Sequence, residues 1–458
     1  MIRDLTQGKV SGVMWRYALP MLGSVVFQQL YNMADTVIAG KCIDENALAA
    51  VGASFPITML FMAVALGCNL GCSVIVSRLF GARRYREVRE SVSTILIAVG
   101  VLGVVLTGIG LASATSLMRL VQTPGDIFAD AMRYLYIYIG GFLFVLLYNV
   151  CNGIFSALGD SRTPFYFLIA SSLGNIGLDL LFVLVFRMGV AGLAWATFLT
   201  QSVAAALCAV ALLIRMRKLR DGSERAKAFS LRLLGQMCTV AIPSVLQQSF
   251  ISVGNLVIQG LVNGYGSSVV AGYTAAVKLN TFVLTTVTAM AGAVSGFAAQ
   301  NMGAHQLTRV KRGLNVGLGM AAMICVPMSL IYAFCRKGAL GLFMDQVSDA
   351  AIATGSRFLL IVSPFYLVIG CKLMYDAVLR GAESMTAFMI ATFADLAVRV
   401  ALCFVLNRVL GVDGIWWSWP IGWSVATVLS AIFYYGGGWY KSARARARFA
   451  QAGYDDRA

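Results

Sequence analysis

The chain has 458 residues, is 59% hydrophobic and only 12% charged, and carries a formal net charge of +16. An ordinary soluble domain is about 25% charged; a polytopic membrane protein is therefore expected, in keeping with a mean hydropathy of +0.79, and a soluble multidomain enzyme is excluded. The positive charge does not imply nucleic acid, because the basic residues gather in a few loops between apolar runs, as in membrane proteins oriented by cytoplasmic Lys and Arg.

Residues 1–12 are polar and the first apolar stretch outruns a signal-peptide core, so no cleavable signal is expected. A helix needs about 20 apolar residues to cross a bilayer. Twelve stretches qualify: 13–40, 53–79, 92–114, 128–158, 164–187, 190–214, 234–263, 270–300, 314–335, 351–379, 386–408 and 412–438. The expected fold is all-α, with twelve transmembrane helices. Several stretches exceed the minimum, which implies tilt or extension past the hydrocarbon.

Span one carries Pro20, a kink or hinge candidate, and Asp35, about 8 Å below the outer end of the span. A carboxylate within a membrane marks an ion, proton or substrate site. Cys68 and Cys72 share a face of span two and suit packing better than a metal. Span five holds Asn175 and Asp179, four residues apart on one face. Thr197 in span six lies at comparable depth. Oxygen ligands of this kind suit hard cations, and a carboxylate removed from water also holds a proton more readily. No basic residue lies in the middle of a span in this half. Asn175 and Thr197 taken alone would serve as well for helix-to-helix hydrogen bonds.

The polar segment 215–233 reads as a linker. It separates an amino-terminal six-helix bundle (1–214) from a carboxyl-terminal one (234–440), with a basic tail at 441–458. In the second half Lys278 has no evident partner, and the only histidine, His305, falls at a span end where solvation is expected. Lys372 and Asp376 are four apart in span ten, as are Asp395 and Arg399 in span eleven. Each pair is expected to neutralise itself on one helix face as a structural pair.

The halves repeat. Gly40 to Gly52 matches Gly260 to Gly272, Gly81-Ala82-Arg83 matches Gly303-Ala304-His305, and Gly189-Val190-Ala191-Gly192 matches Gly411-Val412-Asp413-Gly414, all at offsets of 220–222 residues. Six spans per half make the repeat parallel, about an axis along the membrane normal. Lys and Arg number 25 on one side and 8 on the other, with three inside spans. Both termini are therefore expected in the cytoplasm. No phosphate-binding loop, His-Glu-x-x-His or nucleophile elbow occurs. A non-enzyme without a cofactor is expected, and any uphill transport would draw on an ion gradient.

Several segments together resemble the multidrug and toxic compound extrusion (MATE) family over nearly the whole chain. They are Gln28-Gln29-Leu30-Tyr31-Asn32-Met33-Ala34-Asp35-Thr36, Gly159-Asp160-Ser161-Arg162-Thr163-Pro164, Asn175-Ile176-Gly177-Leu178-Asp179, Gln300-Asn301-Met302-Gly303-Ala304 and Gly414-Ile415-Trp416-Trp417-Ser418-Trp419-Pro420. The resemblance implies two six-helix bundles around a cleft. It implies antiport in which small amphipathic organic cations or drugs leave as H⁺ or Na⁺ enters, by a monomer in the bilayer of a bacterial inner membrane. In the DinF-type branch the ion residues correspond to Asp35, Asn175, Asp179 and Thr197, and Gln28, Asn149 and Asn152 would line the cavity. The NorM-type branch uses carboxylates in spans seven and ten. Here span seven offers Asn255 and no acid, while Asp376, with Lys372, stays available to line a cavity. A flippase for lipid-linked sugars is the alternative, with Lys278 or Lys372 as phosphate partners.

Overall fold

The computed structural model describes residues 3–42, 45–121, 123–219, 227–341 and 349–440, without the side chains of 33–37 and 39–48. The described residues are helices joined by short turns: α1 (Val10–Cys42), α2 (Glu45–Gly81), α3 (Tyr85–Leu120), α4 (Phe128–Gly140), α5 (Phe142–Ala157), α6 (Arg162–Leu180), α7 (Val190–Lys218), α8 (Leu231–Asn263), α9 (Ser267–Gly303), α10 (Leu307–Phe334), α11 (Arg336–Gly341), α12 (Asp349–Val362), α13 (Tyr366–Gly381), α14 (Met385–Leu410) and α15 (Val412–Tyr435). A helix satisfies its own backbone polar groups, so runs this apolar are stable in lipid only in such a form. Ten are long and apolar enough to cross a membrane: α1, α2, α3, α6 with the turn that follows it, α7, α8, α9, α10, α12 with α13, and α14. The bent pair α4 and α5 forms another, and the 24-residue α15 is the twelfth rod. The protein is a multi-pass membrane protein.

Three spans depart from the straight rods of the sequence reading. The fourth bends by 48° between α4 and α5. Gly141 stands at the bend, where the Phe198 ring lies 2.8 Å from the place a Cβ would occupy. The fifth ends in a π-turn, Leu181–Val185, directly after α6. The tenth is interrupted by a 3₁₀ turn, Ser363–Phe365, at Pro364, which lacks the N–H that a continuing helix requires. Pro20 by contrast lies inside the uninterrupted α1.

The chain forms two compact units. One comprises Met1–Asp4 and Leu19–Ser249, the other Leu5–Ala18 and Phe250–Ala458. The division falls inside α1 and α8 rather than in the 215–233 linker. In the second unit the amino-terminal stretch is held by the Gln300-Asn301 motif. Gln300 accepts the Leu5 N–H at 3.0 Å, and Arg309 donates to the carbonyls of Leu5, Gln7 and Gly8. In the first unit Asp160 accepts the Thr163 N–H at 3.2 Å and the Thr163 hydroxyl at 2.9 Å, and pairs with Arg215. Burial opposes ionisation of Asp160, but hydrogen bonding to its carboxylate, that from Thr163 included, outweighs it and holds the carboxyl below the usual range.

The repeat is visible in the backbone. Four inter-helix turns close alike, with the N–H groups of Arg84, Asp160, Gln306 and Ser384 donating to the carbonyl five residues earlier. The residue just before each is left-handed: Arg83, Gly159, His305 and Glu383, at φ 57°, 75°, 59° and 59°. This is the helix-ending geometry in which glycine is usual. Gly189 and Gly411, 222 apart, share φ near 60° with ψ of −139° and −140°, a region open essentially to glycine alone. The Gly40–Gly52 match lies partly outside the described residues.

His305 is exposed and left-handed, which costs a non-glycine residue about 1–2 kcal/mol. His305→Gly removes that cost, offset by a more flexible unfolded chain, so a net gain of about 0.5–1 kcal/mol is expected. In detergent it should raise the melting temperature by about 1–2 °C. An unchanged or lower value would show that this turn is not strained.

Candidate functional site

On α6 the buried positions are Ser172, Asn175 and Asp179, spaced so that they form one stripe. Leu173 and Leu180 point outward on the other face. Asn175 is 2% exposed and Asp179 1%. Both polar side-chain atoms of Asn175 are buried without a hydrogen-bond partner among the described residues. A buried amide in that condition costs about 1–3 kcal/mol per unmade bond, a cost that an occupant of the site would remove.

The surroundings of this stripe are built by three helices. Ile176 of α6, Val183 of the π-turn and Leu193 of α7 pack with Ile38 of α1. Asp35 lies three residues before Ile38 on α1; its side chain is outside the described residues. The π-turn begins two residues after Asp179. Such turns insert a residue and loosen the helical hydrogen-bond ladder, frequently at functional sites. Gly189 then lets the chain reverse into α7.

Thr197 is half-buried on α7 and lines a small, partly open pocket with Tyr134, Tyr138, Val145, Phe198 and Gln201. The rings of Tyr134 and Tyr138 stack with centroids 6.4 Å apart. Gln201 Oε1 is buried without a hydrogen-bond partner among the described residues. The sequence reading missed Tyr134, Tyr138 and Gln201. The available signal was a pair of i, i+4 spacings, Tyr134–Tyr138 and Thr197–Gln201, each of which puts two polar groups on one face of an apolar helix.

The remaining candidates are dispersed. Gln28 is exposed on α1. Asn149 donates back to the Val145 carbonyl at 2.9 Å, and Asn152 accepts from Cys208 Sγ at 3.8 Å. In the second unit Lys372 and Asp376 form a buried ion pair at 3.0 Å, and the Ser430 hydroxyl donates to Asp376 at 2.6 Å. The other expected pair is a correction: Asp395 and Arg399 share the buried face of α14, yet no ion pair between them occurs among the described residues. Arg399 instead lies 4.7 Å from the centroid of the Trp419 ring, and Asp395 packs on Gly422. An indole face attracts a guanidinium, and the missing side chain at Gly422 leaves room for the carboxylate. Lys278 and Asn255 are exposed.

Comparison with known proteins bears on the whole chain. It is 28% identical over 444 residues to the probable multidrug resistance protein YoeA of Bacillus subtilis, covering 94% of this chain and 95% of that one. It is 27% identical over 437 residues to YpnP of the same organism, described in the same terms, covering 95% and 97%. Its structure is similar to that of a MOP superfamily transporter from Pyrococcus furiosus, with a TM-score of 0.88 and 25% identity over 94% of this chain and 96% of that one. The MatE family model matches residues 20–181 and 243–405, which is most of each half of the internal repeat. A multi-pass membrane protein built as this repeat, and matched in both halves, belongs to the MatE family of transporters.

Proposed function

We propose that the protein is a secondary active antiporter that exports small amphipathic organic cations or drugs in exchange for H⁺ or Na⁺, needing no cofactor. Asp35, Asn175, Asp179 and Thr197 hold the coupling ion. The observation that carries this reading is the buried, unpartnered Asn175 amide one turn from the buried Asp179. An amide oxygen and a carboxylate are oxygen donors suited to a hard cation, and the carboxylate alternatively takes a proton. The stacked Tyr134 and Tyr138 beside Thr197 offer aromatic faces that attract an organic cation. Ion and drug then compete for the same negative charge, which yields exchange without direct contact between them. The protein acts as a monomer in a bacterial inner membrane with both termini cytoplasmic, the orientation favoured by the 25 to 8 distribution of basic residues.

Everted vesicles loaded with an ion gradient should accumulate a fluorescent organic cation, and an ionophore that dissipates the gradient should abolish that uptake. Accumulation driven by ATP in the absence of any ion gradient would overturn the reading.

A further inference from the structure

The two units supply an internal template for each other. Asn152 accepts from Cys208 in the first unit, and Asp376 accepts from Ser430 in the second. The first members are 224 residues apart and the second members 222. The same offsets recur in the turns: 224 between the left-handed Gly159 and Glu383, and 222 between Gly189 and Gly411. They recur again in packing. Gly192 lies against Phe182, and Gly414 against Leu406, so the π-turn after α6 meets α7 in the register in which α14 meets α15.

Carried through this register, the four proposed ion residues all change character. Asn175 becomes Arg399, Asp179 becomes Cys403 and Thr197 becomes Trp419. In the register of the Gly40–Gly260 match Asp35 becomes Asn255, which is neutral and exposed. In the second unit the three counterparts on α14 and α15 lie together. Arg399 Cζ is 4.7 Å from the centroid of the Trp419 ring. Cys403 Sγ is 2.9 Å from the hydroxyl of Ser418, the residue next to Trp419. Arg399 is 5% exposed and its Nε has no hydrogen-bond partner among the described residues. One turn back on α14 stands Asp395, 8% exposed, whose Oδ1 occupies space that a Cβ on Gly422 would enter at 2.8 Å. Where the first unit presents an acid to be neutralised, the second carries a cation and an acid on one helix face.

We infer that Arg399 is a tethered stand-in for the coupling cation, set at the position equivalent to the ion site and unable to leave. The assignment of that position as an ion site rests on the function proposed above. A guanidinium on the chain keeps the second unit in its cation-loaded packing throughout the cycle. Coupling is then one-sided: one exchangeable ion per chain, bound in the first unit. The preference of Trp419 for a cation over its face explains why a tryptophan stands where the first unit has a threonine.

Chemical rescue tests this directly. Purified Arg399→Ala protein should melt about 5 °C or more below the parent, since it removes the guanidinium from the Trp419 ring and leaves a cavity among buried groups. Millimolar guanidinium should restore at least half of that loss in a saturable way, whereas potassium at equal ionic strength should not. The parent should not respond, and neither should Arg399→Met, in which a neutral chain fills the space. If Arg399→Ala fails to accumulate in the membrane, recovery of the folded protein on growth with guanidinium is the same positive result, and no recovery overturns the inference. So does a variant indifferent to guanidinium, or a parent that responds equally. Ion-release stoichiometry supplies the second readout: one ion per chain is expected, and two would overturn one-sided coupling. The rescue contains no coupling ion and no transport. A failed ion site in the first unit would therefore appear in transport by the Asp179 variant, separately from the guanidinium result.

Discussion

Asp179→Asn should abolish ion-coupled efflux while leaving the protein folded in the membrane. The substitution keeps shape and volume at a position only 1% exposed, so packing against its neighbours is preserved. On the proposed mechanism it removes the charge that attracts the coupling ion and the group that would accept a proton. A charge-assisted bond contributes about 1.5–3 kcal/mol, and in a site screened from water the loss should reach about 100-fold in ion affinity. Asn175→Ala should weaken ion affinity by less, because it deletes a neutral ligand whose buried polar atoms already lack partners among the described residues. The measurement is ion-dependent dye efflux at matched membrane abundance, with Asp35→Asn beside it as the second carboxylate of the proposed site. Parental transport by Asp179→Asn under the same gradient would show that the ion is held elsewhere.

The second large effect is expected at the buried pair of the other unit. Asp376→Asn alone should destabilise the protein by about 3–5 kcal/mol, because it leaves the Lys372 ammonium buried without its counter-charge. The first unit indicates the repair. At the positions equivalent to Lys372 and Asp376 it carries Tyr148 and Asn152, a neutral combination in the same fold. The double variant Lys372→Tyr with Asp376→Asn should therefore recover most of the loss, since replacing a buried ion pair by a well-packed neutral one is often neutral or better. Melting temperature and membrane abundance of the two single variants and the double variant decide it. If Asp376→Asn is abundant and stable but does not transport, the pair is a coupling element and not a structural one.

Much of this molecule was legible in the chain. A span is declared by some twenty consecutive apolar residues, so each apolar run falls on one rod, though α2, α3 and α10 begin seven or eight residues before theirs. The repeat was readable because turns that demand left-handed backbone recur with glycine at one offset, as at Gly189 and Gly411. The Lys372–Asp376 pair followed from spacing, since residues four apart on a helix are neighbours whatever surrounds them. The shared buried face of Asn175 and Asp179 followed in the same way.

Only the tertiary structure decided what crosses from helix to helix. Asp395 and Arg399 have the same spacing as Lys372 and Asp376, yet they part because Trp419 and Gly422 on α15 offer each a better neighbour. The bend at Gly141 depends on where the Phe198 ring of α7 comes to rest. The pocket joining Thr197 to Tyr134 and Tyr138 depends on how α4 meets α7, and the grouping of Leu5–Ala18 with the second unit on Arg309, some three hundred residues away. Hydrophobicity and helical period are properties of a local stretch, so the chain declares them. The partner of a buried polar group is set by the register in which two helices pack, and that register is a property of the whole unit.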